Sequence, residues 1–163
     1  MFNVKETIKL MMAKKGYSLA DICEEYNKKT GADFKRETFF YKFSKETVKA
    51  TEMQVICDIL GFEFWLVNRD TQQKAMVVPL METLKRLFDE KGLSQDAVRR
   101  LFVEKTGKSI GQTGFSSKVL KENVKVTELF VIGEILGYDV VVLNPATGLE
   151  FSENGDVSVG LDL

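Results

Sequence analysis

Two stretches of the chain concentrate positive charge. Between Lys29 and Lys49 six basic residues stand against three acidic ones, and between Lys105 and Lys125 five stand against one, local sums of +3 and +4. Clustered Lys and Arg bind polyanions, because each cation that meets a phosphate releases condensed counterions. A lysine-rich face is more often plain solvated surface, so the charge has to be weighed against the rest of the chain. The whole sequence carries −1 with a pI near 5.7, which by itself argues against a phosphate binder. The acidic balance is segregated, however: Glu150, Glu153, Asp156 and Asp162 place −4 on the last 16 residues.

Other chemistries find little support. There is no histidine, which removes Ser/His and Cys/His catalysis and the usual zinc ligand sets. Cys23 and Cys57 have no cysteine counterpart in the second half, where Arg99 and Gly133 stand, so each reads as a small apolar residue and not as a ligand or disulfide partner. Phosphate-binding glycine loops and calcium loops are missing, so no enzyme, cofactor or metal site is expected. The sequence contains no apolar run near the ~20 residues of a membrane span, and Glu6 interrupts the amino-terminal stretch too early for a secretion signal. A cytoplasmic protein without a membrane partner is the expectation.

The basic windows recur because the sequence does. Shifted by 76 residues, Glu6 to Thr71 aligns without a gap on Glu82 to Thr147, with 24 identities in 66 positions. A period this long, present twice, suits a duplicated globular unit rather than a solenoid. The expected units are residues 1–78 and 79–163. Apolar spacing of three and four places Ile8, Met11 and Met12, or Leu84, Leu87 and Phe88, on a first helix that ends at Gly16 or Gly92. Ser18 and Ser94 are positioned to cap a second helix carrying Leu19, Ile22 and Tyr26, or Val98, Leu101 and Phe102. A third helix is implied around Phe39 and Phe43, or Phe115 and Val119, although Gly111 and Gly114 blur its start in the second copy. Thr51 and Thr127 are candidate caps for a fourth helix, which stops at Gly61 or Gly137. The pattern then turns β-rich in residues 62–68 and 138–144, each run followed by a second short strand, residues 75–79 in one unit and 148–151 or 156–161 in the other. The fold class that results is mainly α with a small β component, four helices and a hairpin in each unit.

Residues 84–102, with Leu93-Ser94-Gln95 opening the second helix and Leu136-Gly137 or Leu60-Gly61 closing the fourth, resemble the lambda-repressor-like (Xre/Cro-type) helix-turn-helix family. The resemblance covers both units to about Asn68 and Asn144. Two departures stand out: the link before the third helix is several residues longer than the family's turn, and the first copy has Tyr17-Ser18-Leu19 in place of Leu-Ser-Gln. The resemblance implies that the third helix enters the major groove of double-stranded DNA. Arg36, Thr38, Tyr41 and Lys42 would then face bases in the first unit, and Gln112, Thr113, Ser116 and Ser117 in the second. Arg pairs with guanine and Gln with adenine through two hydrogen bonds, while Ser and Thr discriminate less. Phosphates would be met by Lys35, Lys45, Lys49, Lys118, Lys121 and Lys125, and by Ser94 and Gln95 at the positive end of the second helix.

Most such regulators dimerise to place two reading helices about one turn of DNA apart. Two units in one chain suggest a covalent pseudo-dimer acting as a transcriptional regulator or repressor on a two-half-site operator. Because Arg36-Glu37-Thr38 stands against Gln112-Thr113-Gly114, the target is expected to be asymmetric, or one unit to have lost DNA contact. The hairpins are expected either to share one sheet or to offer edges for a homodimer or another partner. The competing expectation is a protein-interaction module on the same scaffold, such as an antitoxin or a phage or mobile-element anti-defence protein. Net acidity, the long link and the neighbouring aromatics Phe40 and Tyr41 favour it.

Overall fold

The computed structural model describes residues 3–152 and 155–157. In chain order its elements are α1 (Val4–Lys15), α2 (Leu19–Thr30), α3 (Arg36–Ser44), α4 (Ala50–Leu60), β1 (Glu63–Asn68), β2 (Lys74–Met76), α5 (Leu80–Lys91), α6 (Gln95–Thr106), α7 (Gln112–Leu120), α8 (Val126–Leu136), β3 (Tyr138–Asn144), β4 (Leu149–Ser152) and β5 (Gly155–Val157). The described residues are thus mainly helical with a small antiparallel sheet. Each helix of the second half begins and ends 76 residues after its counterpart, so the sequence period is also the structural period.

Helix ends follow the expected chemistry, with one exception. Gly61 and Gly137 close α4 and α8 at φ +76° and +79°, a left-handed conformation that a side chain would strain. Ser18 Oγ accepts the Asp21 N–H at 3.1 Å and Ser94 Oγ accepts the Ala97 N–H at 3.0 Å, satisfying donors that the first turn leaves free. The exception is the start of the fourth helices. Thr51 and Thr127 lie inside them, and the capping positions are Lys49 and Lys125. The carboxylate three residues on does the capping from within: Glu52 Oε1 accepts the Lys49 N–H at 2.9 Å and Glu128 Oε1 the Lys125 N–H at 3.0 Å. In the second copy of the third helix, Gly111 sits just outside α7 and Gly114 inside it. A Cβ on Gly114 would meet Ile110 at 3.2 Å, so the glycine gives this link room to pack.

Both units contribute to one antiparallel sheet of order β2-β1-β3-β4-β5, with β1 and β3 central. The hairpins therefore join within the chain. Trp65 lies opposite Val141 in the β1–β3 ladder, and these are equivalent residues of the two repeats. Lys49 and Lys125, also equivalent, form an isolated antiparallel bridge in which the Ala50 N–H meets the Val124 carbonyl at 2.8 Å and the Val126 N–H meets that of Val48 at 2.9 Å. Two self-equivalent pairs define a local two-fold axis that relates the halves. A symmetric dimer needs this kind of isologous contact between two chains. Here the chain makes it with itself.

The core continues across that axis. One apolar cluster includes Ile8, Met53, Ile56 and Leu60 of the first half with Leu84, Leu129, Ile132 and Val140 of the second. The second hairpin reaches back over the first unit, where Phe151 packs on Phe62 with ring centroids 4.8 Å apart. Arg69 reinforces the joint, with its Nε 2.8 Å from Asp139 Oδ1 and its N–H on the Gly137 carbonyl at 3.0 Å. The strand expected at residues 75–79 is realised as β2 alone, because Pro79 leads directly into α5; β4 matches the alternative at 148–151, and β5 overlaps the other at 156–157, whose residues 158–161 lie outside the described ones. Of the acidic tail, Glu150 and Asp156 lie among the described residues, and Glu153 and Asp162 outside them. No helix among the described residues is long and apolar enough to cross a membrane.

Candidate nucleic-acid interface

Each third helix is held to its unit by its inner face. Phe39 and Phe43 of α3, and Phe115 and Val119 of α7, are buried. Phe39 lies 5.2 Å from the Tyr26 ring and 5.0 Å from that of Phe43, and Phe115 lies 5.8 Å from Phe102, tilted contacts that aromatic pairs favour. The outer faces are left to solvent.

The long links before these helices are tied down, by different means in the two units. In the first, Asn27 donates to the Phe34 carbonyl at 2.9 Å and accepts the Phe34 N–H at 3.0 Å, and the Cys23 thiol donates to the same carbonyl at 3.2 Å. In the second, the equivalent carbonyl, that of Ile110, accepts Arg99 Nη1 at 3.0 Å. Arg99 Nε is in turn 2.7 Å from Asp96 Oδ1. Cys23 and Arg99 occupy the same repeat position and serve the same acceptor, a role that residue type alone conceals. A polar residue facing a carbonyl eleven residues away leaves no periodic trace in the sequence.

The residues expected to contact DNA separate into four groups. Lys35, Arg36, Thr38, Tyr41 and Lys45, and Ser94, Gln112, Thr113 and Lys121, are exposed. Gln95, Ser116 and Ser117 are half-buried, the first two between α6 and α7. Lys42 and Lys118 depart from expectation. Their ammonium groups lie 3.0 Å from Glu52 and 3.1 Å from Glu128, with side chains only 21% and 27% exposed. The same carboxylates cap α4 and α8, so these lysines lock the third helix to the fourth and are not free cations. Lys42 also stands 5.1 Å from the Phe34 ring. Lys49 and Lys125 are half-buried at the two-fold bridge, which withdraws their backbone from any outside contact.

Gln95, Asp96, Arg99, Gln112, Phe115 and Ser116 line a cleft of about 300 Å³ between α6 and α7. Arg99, by its hydrogen bond, holds the Asp96 carboxyl below its usual range, and a hydrogen bond from Gln112 assists. The cleft thus combines the ordered Asp96, Arg99 and Gln112 side chains with an apolar lining that includes Phe115. In the first unit the corresponding positions are Leu19, Ala20, Cys23, Arg36, Phe39 and Phe40, and that face is apolar. Phe40 and Tyr41 are 48% and 59% exposed, where the second unit has Ser116 and Ser117. Among the described residues, no group of His, Cys, Asp or Glu is arranged to hold a metal. Burial pushes both the Cys23 and Cys57 thiols up.

Compared with known proteins, the chain matches no protein-family model, no curated protein and no solved structure.

Proposed function

We propose that the protein is a sequence-specific, double-stranded DNA-binding regulator of the lambda-repressor-like helix-turn-helix type, in which one chain acts as its own dimer. The observation that carries this reading is the internal two-fold axis, which gives α3 and α7 symmetric places with their outer faces in solvent. Four residues separate Ser44 from Lys49, and four separate Leu120 from Lys125, at most ~17 Å of chain in each case. Hydrogen bonds from the Thr47 N–H to the Lys42 carbonyl and from the Asn123 N–H to the Lys118 carbonyl fold these links into turns, so the carboxyl-terminal ends of both helices lie within a short link of the axis. Arg36, Thr38 and Tyr41 on α3, and Gln112, Thr113 and Ser116 on α7, are the base-reading set; Lys35, Lys45 and Lys121 are the phosphate set.

Fluorescence anisotropy of the full chain with a pooled random-sequence duplex at 50 and 200 mM salt tests the proposal. The expected result is binding that weakens steeply with salt, and that loses slope when Lys35, Lys45 and Lys121 are replaced by Ala. Absence of salt-dependent binding refutes it. The exposed Phe40 and Tyr41 favour a second reading, in which α3 docks on a protein partner as an antitoxin or anti-defence module would.

A further inference from the structure

The 76-residue period lets the outward positions of α3 and α7 be compared one for one on equivalent backbones. Their inward positions are nearly unchanged: Phe39 and Phe115 are both buried, and the Lys42–Glu52 and Lys118–Glu128 pairs have the same geometry. The outward ridge has diverged. The exposed residues are Arg36, Glu37, Thr38, Phe40, Tyr41 and Lys45 along α3 and its carboxyl-terminal cap, and Gln112, Thr113, Gly114, Leu120 and Lys121 along α7 and its cap, with Ser116 and Ser117 half-buried where the first copy has Phe40 and Tyr41. On α3 the rings of Phe40 and Tyr41 stand between Arg36 and Lys45, with the exposed Glu37 carboxylate on the same helix and Lys45 Nζ 5.8 Å from the Tyr41 ring. At the positions of Phe40 and Tyr41 the second copy carries the half-buried hydroxyls of Ser116 and Ser117, and its one exposed large apolar side chain, Leu120, stands at the carboxyl-terminal end of α7.

In the major groove the base edges offer hydrogen-bonding atoms at every position and a single apolar group, the thymine C5-methyl. Phe40 has no hydrogen-bonding atom in its side chain, and a ring placed against any other base edge would strip water from donors or acceptors without replacing it. Arg36, Lys45 and the neighbouring Lys35 outnumber Glu37 around this aromatic face, a net positive surround that suits a polyanion. We infer that the two units read chemically different half-sites, with α3 taking one that presents thymine methyls to Phe40 and Tyr41, and α7 taking one read through hydrogen bonds. This rests on the DNA-binding reading above.

Replacing thymine by deoxyuracil deletes only the methyl. The tightest duplex recovered by selection from a random pool would be remade with uracil in one half at a time, and affinity measured for the full wild-type chain. The expected result is a loss in one half only, about fourfold for each methyl contacted, the value of burying one methylene-sized group. In Phe40→Ser/Tyr41→Ser, affinity for the thymine duplex should fall to that for the uracil duplex, so that their ratio collapses to one. Both rings are solvent-exposed, and an unchanged urea midpoint would confirm that this variant folds. Equal affinity for thymine and uracil duplexes in both halves, with salt-dependent binding intact, overturns the inference and leaves the DNA reading standing. A ratio that survives in the double variant also overturns it, and turns the aromatic pair toward a protein partner. No salt-dependent binding to any duplex removes both readings together.

Discussion

Replacing Lys118 by methionine removes an ammonium while keeping most of the stem that packs beside α8. In the folded chain that ammonium lies 3.1 Å from Glu128, with side chains 27% and 19% exposed. Exposed pairs contribute about 0–1 kcal/mol, whereas removing one partner of a fully buried pair costs ~3–5 kcal/mol. This pair lies between the two cases, and its carboxylate keeps the Lys125 N–H after the substitution. A loss of roughly 1–2 kcal/mol is expected. For a chain of this size that is ~2–8 °C in the unfolding midpoint. Urea unfolding would show a lower midpoint at constant m-value. Glu128→Gln should lose a similar amount, and the double variant should show a coupling of about 1 kcal/mol, because both single changes break one interaction. DNA binding separates the structural role from a contact role. Lys121→Met, at an exposed position, should leave stability alone and flatten the salt dependence of binding by about one phosphate contact. If Lys118→Met instead flattened the salt dependence with stability unchanged, the ammonium would be a phosphate contact, and assigning it to the α7–α8 lock would be wrong.

Three further outcomes are expected. Gly133→Cys installs the residue that the first unit carries at Cys57, yet a Cβ there would stand 2.7 Å from the Tyr138 carbonyl oxygen; urea unfolding should show a loss of ~1–3 kcal/mol, and a neutral result would mean that β3 shifts freely against α8. Since Arg99 lowers the folded-state pKa of Asp96 below its ordinary 3.8, the associated stability is present above pH 3.8 and lost as pH falls through the lower folded value; a carboxyl titration by NMR should place Asp96 below 3.8 in the wild type and closer to it in Arg99→Gln. Burial raises both thiol pKa values and blocks access, so a thiol reagent should modify neither Cys23 nor Cys57 in the native chain and both after unfolding; rapid native reaction would contradict their placement.

The helices were legible in the sequence because their determinants are local. Ile8 and Met11, a glycine at the left-handed position, and a serine three residues before a free N–H all act within one or two turns, and both copies report the same signals. Where the determinant was not local, the reading went astray. Thr51 and Thr127 have the right residue type for a cap, but the backbone before them is held by the Lys49–Lys125 bridge, and Glu52 and Glu128 cap from inside. Lys42 and Lys118 add to the positive count of their windows, yet a partner ten residues away neutralises each one. A charge tally cannot register that, since it ignores who stands opposite.

By itself the sequence determined the duplication, the number and order of helices, and which faces of them are apolar, since these follow from residue period and short-range hydrogen bonding. Tertiary structure alone decided that the two halves meet about a local two-fold axis, with Trp65 against Val141 and Lys49 against Lys125. It also decided that Lys42 and Lys118 are paired with Glu52 and Glu128. The reason is the same in both cases: strand register and ion pairing depend on groups far apart in the chain, and their energies exist only once packing has brought those groups together.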